Sequence, residues 1–203
     1  MKIICIGRNY AEHAKELNNP LPTEPVFFLK PDTALLPSGN PFYIPDFTTD
    51  LHFECELVVK IKKVGKNIGV EFAPNYYDEI SLGIDFTARD LQEKCKQKGL
   101  PWEIAKGFDH SAPMGSHFIS KANFNWNEIE FKLFKNGIEV QHGKTTDQIF
   151  NIDQIIAYVS RFITLKTGDL IFTGTPAGVG PVSIGDRLTG FIGDQQLLDL
   201  QIK

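Results

Sequence analysis

Residues 51–61 read Leu-His-Phe-Glu-Cys-Glu-Leu-Val-Val-Lys-Ile, a run of strand-forming residues into which two glutamates are set. In a strand, residues two apart share a face. Glu54 and Glu56 therefore stand together, while Phe53, Cys55 and Leu57 face the other way. Such a strand has two homes. It lies in an antiparallel sheet with both carboxylates in water, or it is buried and the carboxylates need a counterion, because neighbouring ionised carboxylates repel and burial sharpens the repulsion. Oxygen ligands alone select a hard divalent cation rather than zinc. The segment by itself leaves both open.

The remaining pattern surrounds this strand with further short strands and few helices. Residues 2–6 predict a first strand, and Asn9 a cap for a short helix over roughly Tyr10 to Leu17. Prolines 20, 22 and 25 force a loop, since proline lacks the N–H and fixes φ. Residues 26–30 predict a buried strand ending at Pro31, and prolines 37, 41 and 45 punctuate a second loop. The glutamate strand is expected to run to about Val64, with a turn over 64–69 and an apolar strand over 80–86. Residues 87–98 have helical composition and stop at Gly99-Leu100-Pro101. Residues 130–140 predict a hairpin with Asn136-Gly137 as a type I′ turn. An amphipathic helix is expected within 147–162, beginning near Ile152 or earlier, then a strand over 168–174 and two more within 186–203. The order does not alternate as βαβα, which argues against a doubly wound sheet and for a β-rich α+β domain.

Charge and cysteine usage narrow the function classes. A net charge of −4 gives no basic footprint for nucleic acid. The N-terminal apolar run meets Arg8 at once and is too short for a signal peptide or membrane span. Three widely spaced cysteines, Cys5, Cys55 and Cys95, predict reduced thiols in a cytoplasmic setting and no structural zinc site.

Several residues are candidates for chemistry. Asp85 ends an apolar strand, where charges are rarely left unpaired; it either completes a Glu54/Glu56/Asp85 metal triad or meets the N-terminal dipole of the next helix. Lys106, flanked by Ala105 and Gly107, either sets a positive charge beside an oxyanion or snorkels over Trp102 or Phe108. His13 and Glu16 share a helix face at i, i+3 spacing, as a water-activating pair or an exposed ion pair. The loop 174–181, Gly-Thr-Pro-Ala-Gly-Val-Gly-Pro, either offers backbone N–H groups to an anion or is a turn between strands, and it is not a Walker loop. Arg8 has the geometry to grip a carboxylate. His52, His110, His117 and His142 show no ligand spacing.

The order of these residues is more specific than any one of them. Gly7-Arg8-Asn9-Tyr10 with His13 and Glu16, then Pro25 with Leu29-Lys30-Pro31, then Glu54-x-Glu56 follow one another. Asp85 with Ala88-Arg89-Asp90 and Gln92 comes next, then Leu100-Pro101-Trp102 with Lys106, then Thr173-Gly174-Thr175-Pro176 with Gly178-Val179-Gly180. Across nearly its whole length the chain resembles the fumarylacetoacetate hydrolase superfamily, most of all its short single-domain members: acylpyruvate and fumarylpyruvate hydrolases and oxaloacetate decarboxylases or tautomerases.

The resemblance implies a mixed β-roll, a single catalytic domain over 1–203 with a mobile lid at about 9–25, and a homodimer. It implies Mg²⁺ or Mn²⁺, with Ca²⁺ as a crystal substitute, held by Glu54, Glu56 and Asp85. Lys106 matches the family's active-site lysine, and His13 and Glu16 its dyad. Arg89 and Gln92 match positions near the substrate carboxylate, Thr175 a substrate-contacting threonine. The expected reaction is C–C bond hydrolysis of an acylpyruvate-type 2-keto acid with release of pyruvate. Oxaloacetate decarboxylation or tautomerisation and 2-hydroxydienoate isomerisation are the alternatives, and a non-catalytic metal-binding dimer the remote one. Nucleic acid and membrane are not expected partners. The chain departs from the family in a short spacer between Ile61 and Ile80 and in residues 107–114, where His110 is expected to bear on substrate choice.

Overall fold

The computed structural model describes all residues except 17–19, 121, 123–124 and 126–127. The strands are β1 (Ile3–Gly7), β2 (Val26–Lys30), β3 (Leu35–Leu36), β4 (Leu51–Phe53), β5 (Cys55–Ile61), β6 (Tyr77–Ile84), β7 (Thr87–Ala88) and β8 (Ala112–Pro113). They continue with β9 (Ile119–Ser120), β10 (Glu130–Lys135), β11 (Ile138–Lys144), β12 (Leu170–Phe172), β13 (Gly180–Pro181), β14 (Arg187–Ile192) and β15 (Gln195–Gln201). The helices are α1 (Ala11–Glu16), α2 (Arg89–Lys98), α3 (Glu103–Lys106) and α4 (Ile152–Ser160).

A six-stranded mixed sheet, ordered β2-β1-β12-β5-β6-β9, forms the centre. β1 and β12 run parallel, and the other pairs are antiparallel. A four-stranded antiparallel sheet, β11-β10-β14-β15, packs on one side. Period-two alternation divides the central strands between two cores. Ile4, Ile6, Leu57 and Val59 join Phe131, Leu133 and Leu198 of the second sheet and Ile155 and Ile156 of α4. Ile3, Cys5, Val58 and Phe172 face a smaller cluster on the other side. Both faces are therefore covered, which is why β5 is almost continuously apolar. The result is the expected β-rich assembly of mixed sheets with short helices.

The expected glutamate strand is two strands. β4 pairs with β13 and β7, whereas β5 pairs with β12 and β6, so the chain changes sheets at Glu54. β12 ends at Phe172, and side chains complete the edge at Cys55: its N–H donates to Gln141 Oε1 at 2.9 Å, and its carbonyl accepts Thr175 Oγ1 at 2.8 Å. β5 ends at Ile61, short of Val64.

Local differences have local causes. Asn9 does not cap α1; its amide donates to the carbonyls of Thr173 (2.7 Å) and Phe150 (2.9 Å), and its Oδ1 accepts the N–H of Phe150. It ties the end of β1 to the two segments beside it. The expected end of α1 at Leu17, and part of the expected lid, lie outside the described residues. α2 begins only at Arg89, because Thr87–Ala88 pair with β4, and it ends at Gly99 with φ +62°. Asn136 and Gly137 take φ of +54° and +82°, as the hairpin turn requires. α4 begins at Ile152, where Asn151 and Gln154 form a reciprocal capping box.

Candidate active site

Two adjacent strands assemble the acidic residues. Cys55 opposes Ile84 and Glu56 opposes Gly83 in the β5–β6 ladder, and the Asp85 N–H donates to the Glu54 carbonyl at 2.8 Å. Carboxylate oxygens of Glu54, Glu56 and Asp85 lie within 4.8 Å of one another. The residues are 6%, 1% and 1% exposed, so the water-facing edge strand is overturned. β5 is central, and Glu56 within it and Glu54 just before it are both buried.

Buried charge of this density needs partners. Lys106 Nζ donates to Glu54 Oε2 and to Asp85 Oδ2, both at 2.8 Å, from the last residue of α3. Arg89, the first residue of α2, donates to Glu54 Oε1 at 2.6 Å and to Gln92 Oε1 at 2.7 Å. Lys30 Nζ lies 2.7 Å from Asp85 Oδ1, but its protons go to Phe86 O, Ser111 O and Ser111 Oγ. Asp85 Oδ1 is left buried with no hydrogen bond. Neither local alternative holds: Asp85 meets two lysines rather than a helix terminus, and Lys106 is 3% exposed rather than on the surface.

The three carboxyls are not equivalent. Burial pushes Glu54 up, but Lys106 and Arg89 outweigh it and hold its carboxyl well below the usual range. Burial raises Glu56, and the charges of Asp85 and Glu54 add to the rise. The Gly174 N–H, 2.6 Å from Glu56 Oε2, opposes it only in part. For Lys106, burial opposes the charged form, but Asp85 and Glu54 win and raise its pKa. An oxygen-only donor set, one carboxylate oxygen met by a lysine's charge but by no hydrogen bond, and one strongly raised carboxyl together fit a hard divalent cation.

A cavity of about 40 Å³ opens onto these groups. Every residue expected at the site lines it except Glu16: Arg8, His13, Glu54, Glu56, Asp85, Arg89, Gln92, Lys106 and Thr175. Glu16 stands behind His13, its Oε2 3.2 Å from His13 Nδ1. The Gly178 N–H donates to the same carboxylate at 3.2 and 3.3 Å, which clasps α1 to the glycine-rich loop. That loop joins β12 to β13, as one of its two expected uses required, and two of its N–H groups hold the protein's own glutamates. Gly174 and Gly178 have φ of +100° and +94°, conformations that favour glycine. Thr175 is committed to the fold, donating to Cys55 O and accepting Gln141 Nε2 at 2.8 Å each. A larger hollow of about 660 Å³ lies on the four-stranded sheet among Lys132, Phe134 and Phe191, away from the buried charges; size does not locate the chemistry here.

Sequence reasoning assigned no role to Lys30, Gln141, Lys96, Phe28 or Trp102. Lys30 left a signal, a lone cation ending an apolar strand; Gln141 left none, because its partners are distant in sequence. His110 is exposed and lies outside the cavity lining. His52 and His142 pair with Asp50 and Glu130, also outside it.

Comparison with known proteins places the chain in a family. Residues 2–203 match the fumarylacetoacetate hydrolase C-terminal family model. The chain is 47% identical over 187 residues to the mitochondrial oxaloacetate tautomerase FAHD1 of Mus musculus, covering 92% of this chain and 84% of that one. It is 43% identical over 201 residues to the mitochondrial oxaloacetate decarboxylase of Dictyostelium discoideum, covering 96% and 92%. Among solved structures, fumarylpyruvate hydrolase from Pseudomonas aeruginosa, in complex with Mn²⁺ and pyruvate, superposes with a TM-score of 0.93 at 36% identity, covering 100% of this chain and 89% of that one. The chain belongs to the fumarylacetoacetate hydrolase family of enzymes.

Proposed function

We propose that this chain is a divalent-metal-dependent enzyme that interconverts or decarboxylates an oxaloacetate-type 2-keto acid. The observation that carries the reading is the buried trio Glu54, Glu56 and Asp85 with Lys106 bridging two of its members, in the wall of a cavity. The tautomerase and decarboxylase names of the relatives above support the substrate class.

Glu54, Glu56 and Asp85 would hold Mg²⁺ or Mn²⁺, and the ion would supply Lewis-acid stabilisation of negative charge on the 2-keto oxygen. Lys106, 3% exposed, sets a fixed ammonium beside the same oxygen. Arg89 and Gln92 orient the adjoining carboxylate through their free donors. His13, held by Glu16, takes the C3 proton in tautomerisation and returns it to the other tautomer. Decarboxylation needs no such base, since the departing carboxylate leaves the electron pair behind. The lid at about 9–25 and a homodimer belong to the same reading.

One observation favours a second reaction at this site. The His13–Glu16 pair is the arrangement that draws a proton from water, as hydrolysis of an acylpyruvate to pyruvate requires. Turnover of oxaloacetate, acetylpyruvate and fumarylpyruvate with Mg²⁺, followed by enol absorbance and pyruvate release, separates the reactions. Oxaloacetate enol loss without pyruvate identifies a tautomerase, and pyruvate from oxaloacetate a decarboxylase. Pyruvate from the acylpyruvates alone selects hydrolysis, and no turnover of any substrate contradicts the proposal.

A further inference from the structure

The cations around the cavity fall into two sets. Lys30, Arg89 and Lys106 each face a buried carboxylate at 2.6–2.8 Å. Arg8 and Lys96 line the same cavity, yet neither side chain makes a hydrogen bond or ion pair with any described residue. Neither is a free surface group, since both are partly buried.

Their placement is built into the fold. Arg89, Gln92 and Lys96 recur at i, i+3 and i+7, one stripe of α2, and all three line the cavity. Arg8 follows β1 with φ +60°, a conformation that costs a non-glycine residue energy. The aromatic rings of Phe28 and Trp102, 6.0 Å apart and edge to face, line the cavity as well. Burial lowers the Lys96 pKa, the charges of Arg89 and Arg8 lower it further, and Glu93 and Glu54 oppose the shift only in part. Neither glutamate makes an ion pair with Lys96; like charges held together beside apolar rings, without a paired acid among the described residues, form a position for an anion of the ligand. The carboxylate next to the keto group is already served by Arg89 and Gln92 in the proposed function. The surplus therefore fits a second carboxylate.

We propose that Lys96, with Arg8, forms a distal-carboxylate subsite that makes the enzyme select 2-keto diacids over 2-keto acids with an uncharged tail. This rests on the proposed function and names the determinant of its substrate class. Lys96 is a specificity residue: it binds the part of the ligand that does not react.

The test compares two probes that differ only at the tail, 2-oxoglutarate and 2-oxopentanoate. Their binding to the Mn²⁺-loaded protein is measured by calorimetry, so that it is read without turnover. Wild type should bind the diacid about tenfold more tightly. Lys96→Gln, at a half-exposed helix position, should remove most of that preference while leaving 2-oxopentanoate affinity unchanged. Arg8→Gln should act in the same direction, and raised salt should shrink the wild-type preference. No preference in wild type, binding of neither probe, or a preference that survives in Lys96→Gln overturns the proposal. Oxaloacetate turnover by wild type is scored separately: turnover without a diacid preference overturns the subsite alone, and a preference without turnover overturns the reaction alone.

Discussion

The two poles of the cavity are built differently. At one, Glu56 sits in β5 while Glu54 and Asp85 flank the paired ends of β5 and β6; all three are nearly inaccessible and are held by Lys106, Lys30, Arg89 and the Gly174 N–H. At the other, His13 and Glu16 stand on a six-residue helix, and Glu16, with a side chain 34% exposed, is held by one imidazole and one loop N–H. Under the proposed function the contrast is a division of labour. A cation site needs its oxygens fixed before the ion arrives, which a central sheet provides. The proton transfer proposed for the His13–Glu16 pair would require it to admit and release substrate, which suits an element with few ties.

The largest break in that contrast is Asp85→Ala. It strips Lys30 and Lys106 of a buried counterion and should cost about 3–5 kcal/mol of stability. Urea unfolding checks this, and a loss below about 1 kcal/mol would mean that the acidic pole is not held as described. His13→Ala should act oppositely. We expect proton transfer to slow by about a hundredfold or more, with Mn²⁺ affinity unchanged and a much smaller loss of stability. A matching loss of Mn²⁺ affinity would merge the two poles into one unit.

A subtler test uses pH. The folded Glu56 pKa is raised above its unfolded value by burial and by its acidic neighbours. Its contribution to stability is therefore complete below the ordinary glutamate range and is lost as pH rises through the raised folded value. A divalent ion would cancel that loss. The gain in Tm on adding Mn²⁺ should then be larger at about pH 8 than at about pH 5. Equal gains would argue that Glu56 carries no such penalty.

The sequence made much of the acidic pole legible, for physical reasons. Period-two spacing brings Glu54 and Glu56 to one side of the chain even though the strand breaks at Glu54, and an acid ending an apolar strand needs a partner. It did not reveal the change of sheet at Glu54, because what ends the strand is the end of β12 and two side chains, Gln141 and Thr175, far along the chain. The same non-local cause hid the use of Asn9, whose partners lie more than a hundred residues away. Turns with local chemistry, such as Asn136-Gly137 and the stop at Gly99, were readable in place. Lys30 and Lys96 were visible as residues but not as members of the site, since only the fold brings β2 and the second turn of α2 to one cavity.

The claim on which the rest depends is that Glu54, Glu56 and Asp85 hold one divalent cation. Calorimetric titration of Mn²⁺ into wild type and Glu56→Gln tests it most directly. The glutamine keeps the size of the side chain and an oxygen for the Gly174 N–H, and it removes a repelling charge, so the variant should fold at least as stably as wild type. The account predicts one Mn²⁺ per wild-type chain and an affinity at least about a hundredfold weaker in the variant. Equal affinity in the two proteins would contradict it.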